Sequence, residues 1–216
     1  MVLKNFVVFE GIDGSGRTTQ LELLKNTPAA RPFDFSAEPT QGETGKFLRR
    51  VLSGNVALDA RTTAYLFAAD RAEHLYAADG IMGKAERGTV CVSDRYLFSN
   101  IAYQGVTCGE ELPRRLNEPF PLPELLFFFK IAPATALGRI GGRGAHEIYE
   151  RLDFLRMVAE RYERIIGEYA AEAEKAAGGM RVVVIDAEKS TEDVHSQIIG
   201  ALRAAGKLDA RNGAVP

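Results

Sequence analysis

The chain has 216 residues, enough for one α/β domain with a substantial core. Hydrophobic residues make up 46% and charged residues 26%, and no apolar run approaches the ~20 residues of a membrane span. The net charge of -2 argues against a general nucleic-acid or membrane-surface binder, and two cysteines are too few for a disulfide framework, so we expect a cytoplasmic protein with free thiols.

Short apolar runs alternate with amphipathic stretches along the whole chain. The predicted strands are Phe6 to Phe9, Pro32 to Ser36, Thr89 to Ser93, Leu125 to Ile131 and Arg181 to Asp186. The predicted helices are Thr18 to Lys25, Thr44 to Leu52, Ala60 to about Asp79 with Ile81 to Glu86 as its prolongation, Leu97 to Gly105, Glu110 to Asn117, Pro133 to Ile140, Glu147 to about Ala177, and Thr191 to Ala205. This order predicts a single α/β domain over 1–216, built on a five-stranded parallel sheet with helices on both faces.

A glycine-rich turn joins the first predicted strand to the first predicted helix. Its sequence is Gly11-Ile12-Asp13-Gly14-Ser15-Gly16-Arg17-Thr18. This spacing is typical of a phosphate-binding loop, in which backbone N–H groups surround phosphate oxygens at a helix N-terminus. Thr18 places a hydroxyl where such loops bind magnesium, whereas Arg17 stands where they normally have lysine, and the two cations are not equivalent at a phosphate.

Three further loops directly follow predicted strands and should line the same cleft, because ligands bind at the carboxyl ends of parallel strands. They are Glu38-Pro39-Thr40, Asp94-Arg95-Tyr96 and Ala187-Glu188-Lys189. Arg95 suits either a bidentate contact with a phosphate or a salt bridge to Asp94 or Glu38. Asp13 and Asp94 can hold magnesium through water or orient an arginine.

Two other segments allow two interpretations each. Arg139 and Arg143 flank a glycine-rich break, which indicates either a mobile lid over phosphates at about 139–147 or a solvated surface turn. Phe67 and Arg71 are four residues apart on one helix face, so they either bind a nucleotide base or belong to the core.

Two motifs carry a family resemblance. They are Phe9-Glu10-Gly11-Ile12-Asp13-Gly14-Ser15-Gly16 followed by Thr18-Thr19-Gln20, and Asp94-Arg95-Tyr96-x-x-Ser99-Asn100-x-Ala102-Tyr103-Gln104-Gly105. Both resemble thymidylate kinases, and the resemblance extends over nearly the whole chain. It implies a P-loop NTPase fold of the nucleotide kinase type with a small lid, transfer of the γ-phosphoryl of ATP to dTMP with Mg2+, and a homodimer that binds neither nucleic acid nor membrane.

The resemblance also implies residue roles. Phe67 would stack on thymine, Arg71 would bind its O4, and Tyr103 would lie by the deoxyribose. The implied catalytic residues are Asp13, Arg17, Arg95 and Arg143, and the implied metal-binding residues are Thr18 and Asp94. ATP would contact Gly11, Ile12, Asp13, Gly14, Ser15, Gly16, Arg17, Thr18, Thr19, Arg139, Ala187 and Glu188. dTMP would contact Asp13, Glu38, Pro39, Phe67, Arg71, Arg95, Ser99, Asn100, Tyr103 and Gln104.

Two alternative functions follow from the same residues. One is a P-loop kinase for another nucleoside monophosphate, against which Arg71 and Tyr103 argue. The other is a nucleotide-binding module with little turnover, because Arg17 replaces the loop lysine. Intact Asp13, Thr18 and Arg95 favour an active enzyme over that module.

Overall fold

A computed structural model of the chain describes residues 1–140, 152–175 and 179–208. It contains a five-stranded parallel sheet in the order β2-β3-β1-β4-β5. The strands are β1 Val2–Gly11, β2 Asp34–Ala37, β3 Cys91–Asp94, β4 Leu122–Lys130 and β5 Arg181–Asp186. The predicted parallel sheet is therefore confirmed, and β1 lies at its centre.

The described residues form nine α-helices. These are α1 Arg17–Lys25, α2 Glu43–Leu52, α3 Ala60–Tyr76, α4 Ile81–Glu86, α5 Leu97–Cys108, α6 Glu111–Asn117, α7 Pro133–Ile140, α8 Leu152–Lys175 and α9 Thr191–Ala204. Helix α8 corresponds to the helix predicted from Glu147 to about Ala177, whose outer residues lie beyond the described ranges. Within the described ranges, no helix combines the length and apolar character that crossing a bilayer requires.

The core covers both faces of the central strand. Phe6, Val7, Val8 and Phe9 are each fully buried, and successive residues of a strand point to opposite faces, so packed helices must cover both sides of β1. The ring of Phe9 lies 5.0 Å from that of Phe127 on β4. Full burial of one such side chain contributes about 1.5–3 kcal/mol.

Two local predictions were wrong. The segment Ile81–Glu86 is a separate helix rather than a prolongation of α3, because the backbone leaves the helical conformation at Ala77, with a ψ of 161°, and is extended again at Gly80, with a ψ of 170°. Strand β4 begins at Leu122 and not at Leu125, since Pro123 lies inside it and pairs with Leu3. The predicted free thiols are confirmed for Cys91 and Cys108.

Candidate active site

The phosphate loop lies at the carboxyl end of β1 and opens into a cavity of about 570 Å³. Gly14 and Gly16 have φ values of 79° and 89°, a left-handed conformation that glycine adopts without strain. A Cβ atom on Gly14 would also lie 2.9 Å from the carbonyl carbon of Ala136 on α7. The cavity is lined by Asp13, Gly14, Ser15, Gly16, Arg17, Thr18, Thr19, Gln20, Arg139, Ile140, Ala187, Lys189, Thr191 and Val194.

The side chain of Arg17 is buried and points into the base of the loop. Its Nη1 donates a hydrogen bond to the carbonyl oxygen of Gly11. Its Nε lies 3.0 Å from Oδ1 of Asp94, and its Nη2 lies 4.0 Å from Oδ1 of Asp13. The Nε–Oδ1 pair is close but poorly aligned for a hydrogen bond, so we describe it as an ion pair. Arg17 thus connects both predicted acidic residues.

Asp13 is the centre of a second cluster. Its carboxylate accepts hydrogen bonds from Arg95 and, at 2.9 Å, from the Tyr103 hydroxyl, and its backbone N–H donates to that hydroxyl over 3.1 Å. Burial raises the pKa of the Asp13 carboxyl, but the charges of Arg95 and Arg17 hold it below its usual value. The carboxyl is therefore ionised at neutral pH.

Arg95 forms its salt bridge with Asp13, and not with Asp94 or Glu38 as the sequence had allowed. Burial lowers the pKa of Arg95, but the neighbouring Asp13 carboxylate raises it well above its usual value, so the guanidinium is charged. Its Nη1 also donates to Ser99 Oγ over 3.0 Å, and its guanidinium carbon lies 5.0 Å from the centre of the Tyr103 ring. The residue has a φ of 75°, which is uncommon outside glycine.

A buried polar network connects α3 with α5 and α6. Arg71 is 1% exposed, and its two terminal nitrogens donate to Glu38 and to Asn117 Oδ1. Asn117 Nδ2 donates to Asn100 Oδ1 over 2.7 Å, and Asn100 Nδ2 donates to Gln104 Oε1 over 2.9 Å. This network thus brings together four of the residues predicted to bind dTMP: Glu38, Arg71, Asn100 and Gln104. Asn117 connects them, and the sequence analysis did not predict a role for it.

The Glu38-Pro39-Thr40 loop is fixed to α3 by further contacts. Asp70 accepts hydrogen bonds from the backbone N–H of Thr40 at 2.7 Å and from its hydroxyl at 2.6 Å. His74 Nδ1 lies 3.1 Å from Glu38 Oε1. Asp70 and His74 were also missed, although His74 lies four residues after Asp70 and three after Arg71, spacings that make it a neighbour of both on the helix surface.

Several buried polar atoms of this region have no hydrogen-bond partner among the described residues. Three of these atoms lie in the polar network: Arg71 Nε, His74 Nε2 and Gln104 Nε2. A fourth, Ser15 Oγ, lies in the phosphate loop. Most buried polar groups in proteins are paired, so a group of unpaired buried atoms indicates that a polar ligand or water completes them.

The remaining predicted residues lie as follows. Phe67 is half-buried on α3, one turn before Arg71. Arg139 Nη2 donates to the carbonyl oxygen of Ala187 over 3.0 Å, which closes one wall of the cavity. The Glu188 carboxylate accepts from the backbone N–H of Ala132 at 2.9 Å, and Glu188 does not line the cavity. Arg143 and the predicted lid beyond Ile140 lie outside the described residues.

The oxygen donors at the predicted metal site have the chemistry that Mg2+ prefers. The Thr18 hydroxyl belongs to an exposed residue on the cavity wall. Asp94 Oδ1 is buried and has no aligned hydrogen-bond donor among the described residues. The Thr18 and Asp94 side chains are therefore oxygen donors of the kind that bind magnesium, and their pairing in one metal site stays a prediction.

Comparison with known proteins gives a consistent result. The chain matches the family described as thymidylate kinase over residues 9–198. A Treponema pallidum protein named as a thymidylate kinase is 39% identical over 209 residues, covering 96% of this chain and 99% of that protein. A Methanocaldococcus jannaschii protein with the same designation is 39% identical over 207 residues, covering 94% and 98% of the two chains. The chain belongs to the thymidylate kinase family, a group of ATP-dependent nucleoside monophosphate kinases with a phosphate-loop fold.

Proposed function

We propose that this chain transfers the γ-phosphoryl group of ATP to dTMP, giving dTDP and ADP for dTTP biosynthesis. The observation that carries the proposal is the position of Asp13. This residue lines the cavity of the phosphate loop, and its carboxylate also accepts hydrogen bonds from Arg95 and Tyr103. A donor bound in the cavity and an acceptor bound beside Arg95 would therefore meet at one carboxylate.

The ATP phosphates would bind in the cavity of about 570 Å³, where the loop glycines present backbone N–H groups at the N-terminus of α1. Arg139 and Ala187 would border the adenine, as their mutual hydrogen bond places them on one wall. Glu188 would contribute through the backbone of its segment, because its side chain is bound to Ala132. Arg143 would contact the phosphates from the lid.

The dTMP base would bind over the polar network between α3 and α5. Thymine carries two carbonyl acceptors and one N–H donor, and the unpaired buried atoms Arg71 Nε and Gln104 Nε2 supply donors for such a ligand. Phe67 would stack on the ring. Tyr103 would pack by the deoxyribose, since its hydroxyl is held by Asp13.

The chemical step would be an in-line displacement. An oxygen of the dTMP phosphate attacks the γ-phosphorus, the bond from that phosphorus to the bridging oxygen breaks, and ADP leaves with the electron pair. The dTMP phosphate is already largely ionised near neutral pH, so no strong general base is needed. Arg17, Arg95 and Arg143 would neutralise and position the charged oxygens, which is the main source of catalysis in phosphoryl transfer.

A magnesium ion held by Thr18 and Asp94 would neutralise charge on the phosphate oxygens. Arg17 would keep Asp94 oriented, since its Nε lies 3.0 Å from Oδ1.

The test is ADP release from MgATP by the purified protein, measured in parallel with dTMP, dUMP, UMP, CMP, AMP and GMP. We expect release with dTMP well above release with the others. Preference for another monophosphate would discard the proposed base site and keep the phosphate-loop assignment. Binding of dTMP without ADP release would instead support a module with little turnover.

We also propose that the chain acts as a cytoplasmic homodimer. The two free thiols fit a reducing compartment. Tyr65 and Tyr76 are 55% and 53% exposed on α3, and their spacing of eleven residues, about three turns, places them on one helix face.

Tyr65→Glu should shift the sedimentation coefficient to that of a monomer. Met157→Glu, at a residue 47% exposed on α8, should not, and an unchanged Tyr65→Glu protein would refute this interface.

A further inference from the structure

Glu10 is a fully buried carboxyl group at the end of β1, three residues before Asp13. Its Oε1 accepts hydrogen bonds from the backbone N–H groups of Tyr96 at 2.8 Å and Ser99 at 3.1 Å. Its Oε2 lies 2.6 Å from Ser99 Oγ and 2.8 Å from the Tyr162 hydroxyl. One side chain therefore joins β1 to the start of α5 and to α8.

The three oxygens on the Oε2 side form a closed triangle. Ser99 Oγ and the Tyr162 hydroxyl are themselves 2.7 Å apart, so all three oxygen pairs are at hydrogen-bond distance. Each hydrogen bond needs one hydrogen between its two oxygens. The serine and tyrosine hydroxyls supply two hydrogens for three contacts.

An ionised Glu10 would leave one of these pairs with two oxygens facing each other and no hydrogen between them. A protonated Glu10 supplies the third hydrogen, and the triangle becomes a ring in which each oxygen donates once. The contacts of the other oxygen agree with a protonated carboxyl group. Oε1 accepts from two backbone N–H groups, as the carbonyl oxygen of a carboxylic acid does.

The charges around Glu10 are already paired elsewhere. Arg95 directs its Nη2 at Asp13 and its Nη1 at Ser99, and Arg17 is bound to Gly11 and the two aspartates. Burial raises the pKa of Glu10 above its usual value, against the lowering effects of the Ser99 hydrogen bond, the charges of Arg95 and Arg17, and the Tyr162 hydrogen bond.

We propose that Glu10 is a neutral carboxylic acid in the native enzyme, and that it positions Arg95 by closing this hydrogen-bonded ring. The backbone N–H of Arg95 donates to the carbonyl oxygen of Phe9 over 2.9 Å, and that of the next residue, Tyr96, donates to Glu10. Both sides of the left-handed turn at Arg95 are thus fixed to β1. The positioning part of the inference rests on the role of Arg95 proposed above, whereas the protonation state does not.

The first test compares Glu10→Gln with Glu10→Ala. Glutamine keeps a carbonyl for the two backbone donors, and its NH2 group supplies a hydrogen on the side of Ser99 and Tyr162, as the neutral acid does and the carboxylate does not. We expect Glu10→Gln to keep kcat and the KM for dTMP within about threefold. Glu10→Ala should raise the KM for dTMP at least tenfold and should change the KM for ATP much less.

Two outcomes would overturn the proposal that Glu10 positions Arg95 as a neutral acid. A Glu10→Gln enzyme as impaired as Glu10→Ala would mean that the site needs a carboxylate. An equal rise of both KM values in Glu10→Ala would mean general damage to the fold rather than displacement of Arg95. The matched control is Glu124→Gln on β4, a substitution of the same type at a half-exposed carboxylate that is bound to Lys207 and to the backbone of Asn5.

The second test measures the protonation state directly. The infrared difference spectrum between the native enzyme and Glu10→Gln at pH 7 should contain the C=O stretch of a carboxylic acid, and a carboxylate band in its place would refute the proposal. If the acid band is present and Arg95→Ala leaves dTMP binding unchanged, the role proposed for Arg95 fails while the protonation state stands.

Thermal unfolding supplies a third readout. A carboxyl with a raised native pKa makes the native state lose stability as pH rises above the ordinary glutamate pKa of about 4.3, because the folded protein then binds more protons than the unfolded chain. Glutamine does not titrate. The Tm of Glu10→Gln minus that of the native enzyme should therefore increase between pH 4.5 and 8, and a constant or falling difference would contradict the neutral acid.

Discussion

Arg17 contacts three partners that a lysine could not reach together. Its guanidinium binds the carbonyl oxygen of Gly11 and lies beside the carboxylates of Asp94 and Asp13. A lysine ammonium carries its three donors on one nitrogen, so it could not span these groups as the planar guanidinium does. The exchange of lysine for arginine thus links the phosphate loop to Asp94 and Asp13.

Replacing Arg17 by alanine should lower kcat by about 100-fold or more, because it removes a cation from the transferred phosphoryl group and leaves the Asp94 carboxylate without its ion-pair partner. Arg17→Lys should keep the fold and stay within about tenfold of the native kcat. Steady-state kinetics with saturating MgATP and dTMP measures both. Lys25→Ala, at the exposed end of the same helix, serves as the control for loss of a positive charge.

The result with lysine also decides how the site is built. If Arg17→Lys inactivates the enzyme as fully as Arg17→Ala, the cleft depends on the planar guanidinium that holds Asp94 and Asp13. If Arg17→Ala retains the native kcat, Arg17 has no part in phosphoryl transfer.

The sequence predicted the residue types of the site but not their contacts. Asp13 and Arg95 are 82 positions apart, and Arg71 and Asn117 are 46 apart. Contacts between residues so far apart in the chain depend on how β1, β3 and the helices around them pack. A single sequence contains no local signal that predicts this packing. The left-handed φ of Arg95 was equally hidden, because arginine has no preference for that conformation.

The loop that follows β2 is held by two helices, α2 and α3. Arg49 on α2 donates to the carbonyl oxygens of Pro39 and Thr40, and Asp70 on α3 accepts from Thr40. A Cβ atom on Gly45, at the start of α2, would lie 2.6 Å from the carbonyl carbon of Thr40. The absence of a side chain at this glycine therefore allows the helix to approach the loop.

Gly45→Ala should raise the KM for dTMP about tenfold, since it must displace the loop that carries Glu38, and small displacements of positioning groups have large kinetic effects. The KM for ATP should change little, because the phosphate loop follows a different strand. Kinetics at varied dTMP and at varied ATP separate the two effects.

Gly200→Ala is the matched control for that substitution. Gly200 lies within α9 with open space where a Cβ would be, so alanine there should stabilise the helix by about 0.5–1 kcal/mol and leave both KM values unchanged. A native KM for dTMP in Gly45→Ala would show that the loop tolerates movement.

Element prediction succeeded where a local pattern decided the outcome. Each of the five strands overlaps its predicted stretch, and α3 begins at the predicted Ala60, where the side chain of Asp59 caps the helix by accepting from the backbone N–H groups of Arg61 and Thr62. Strand ends were less predictable. The start of β1 was missed because Asn5, with a φ of 63°, interrupts the pairing with β4 between Leu3 and Val7.

At the scale of the whole molecule, one carboxylate ties α8 to the segment between α5 and α6. Glu110 accepts hydrogen bonds from Arg114, Arg161 and Arg164. The hydrogen bond from Arg164 is the main influence that lowers the pKa of Glu110 to about 2, and Arg114 contributes through its hydrogen bond and its charge. Since α8 follows the segment in which the sequence predicts a lid, this cluster anchors the helix that comes directly after that segment.

Removing this carboxylate should destabilise the protein in a pH-dependent way. A carboxyl with a lowered native pKa contributes stability above its ordinary pKa of about 4.3, and that contribution disappears as pH falls toward about 2. Glu110→Gln should therefore lower the Tm near pH 7 by about 2–4 °C, the shift that about 1 kcal/mol produces in a chain of this size. The difference from the native protein should shrink steadily below pH 4.

The neighbouring Glu111 provides a closely matched control. Its side chain is 87% exposed and lies 3.7 Å from Arg115 alone among the described basic residues, so Glu111→Gln should leave the Tm within error at every pH. Raising the salt concentration should reduce the Glu110→Gln effect only in part, because one carboxylate shared by three arginines is less screened than an isolated surface pair. If both variants show the same Tm profile, Glu110 contributes no more than any exposed charge, and α8 must be held in place by its apolar contacts with α5.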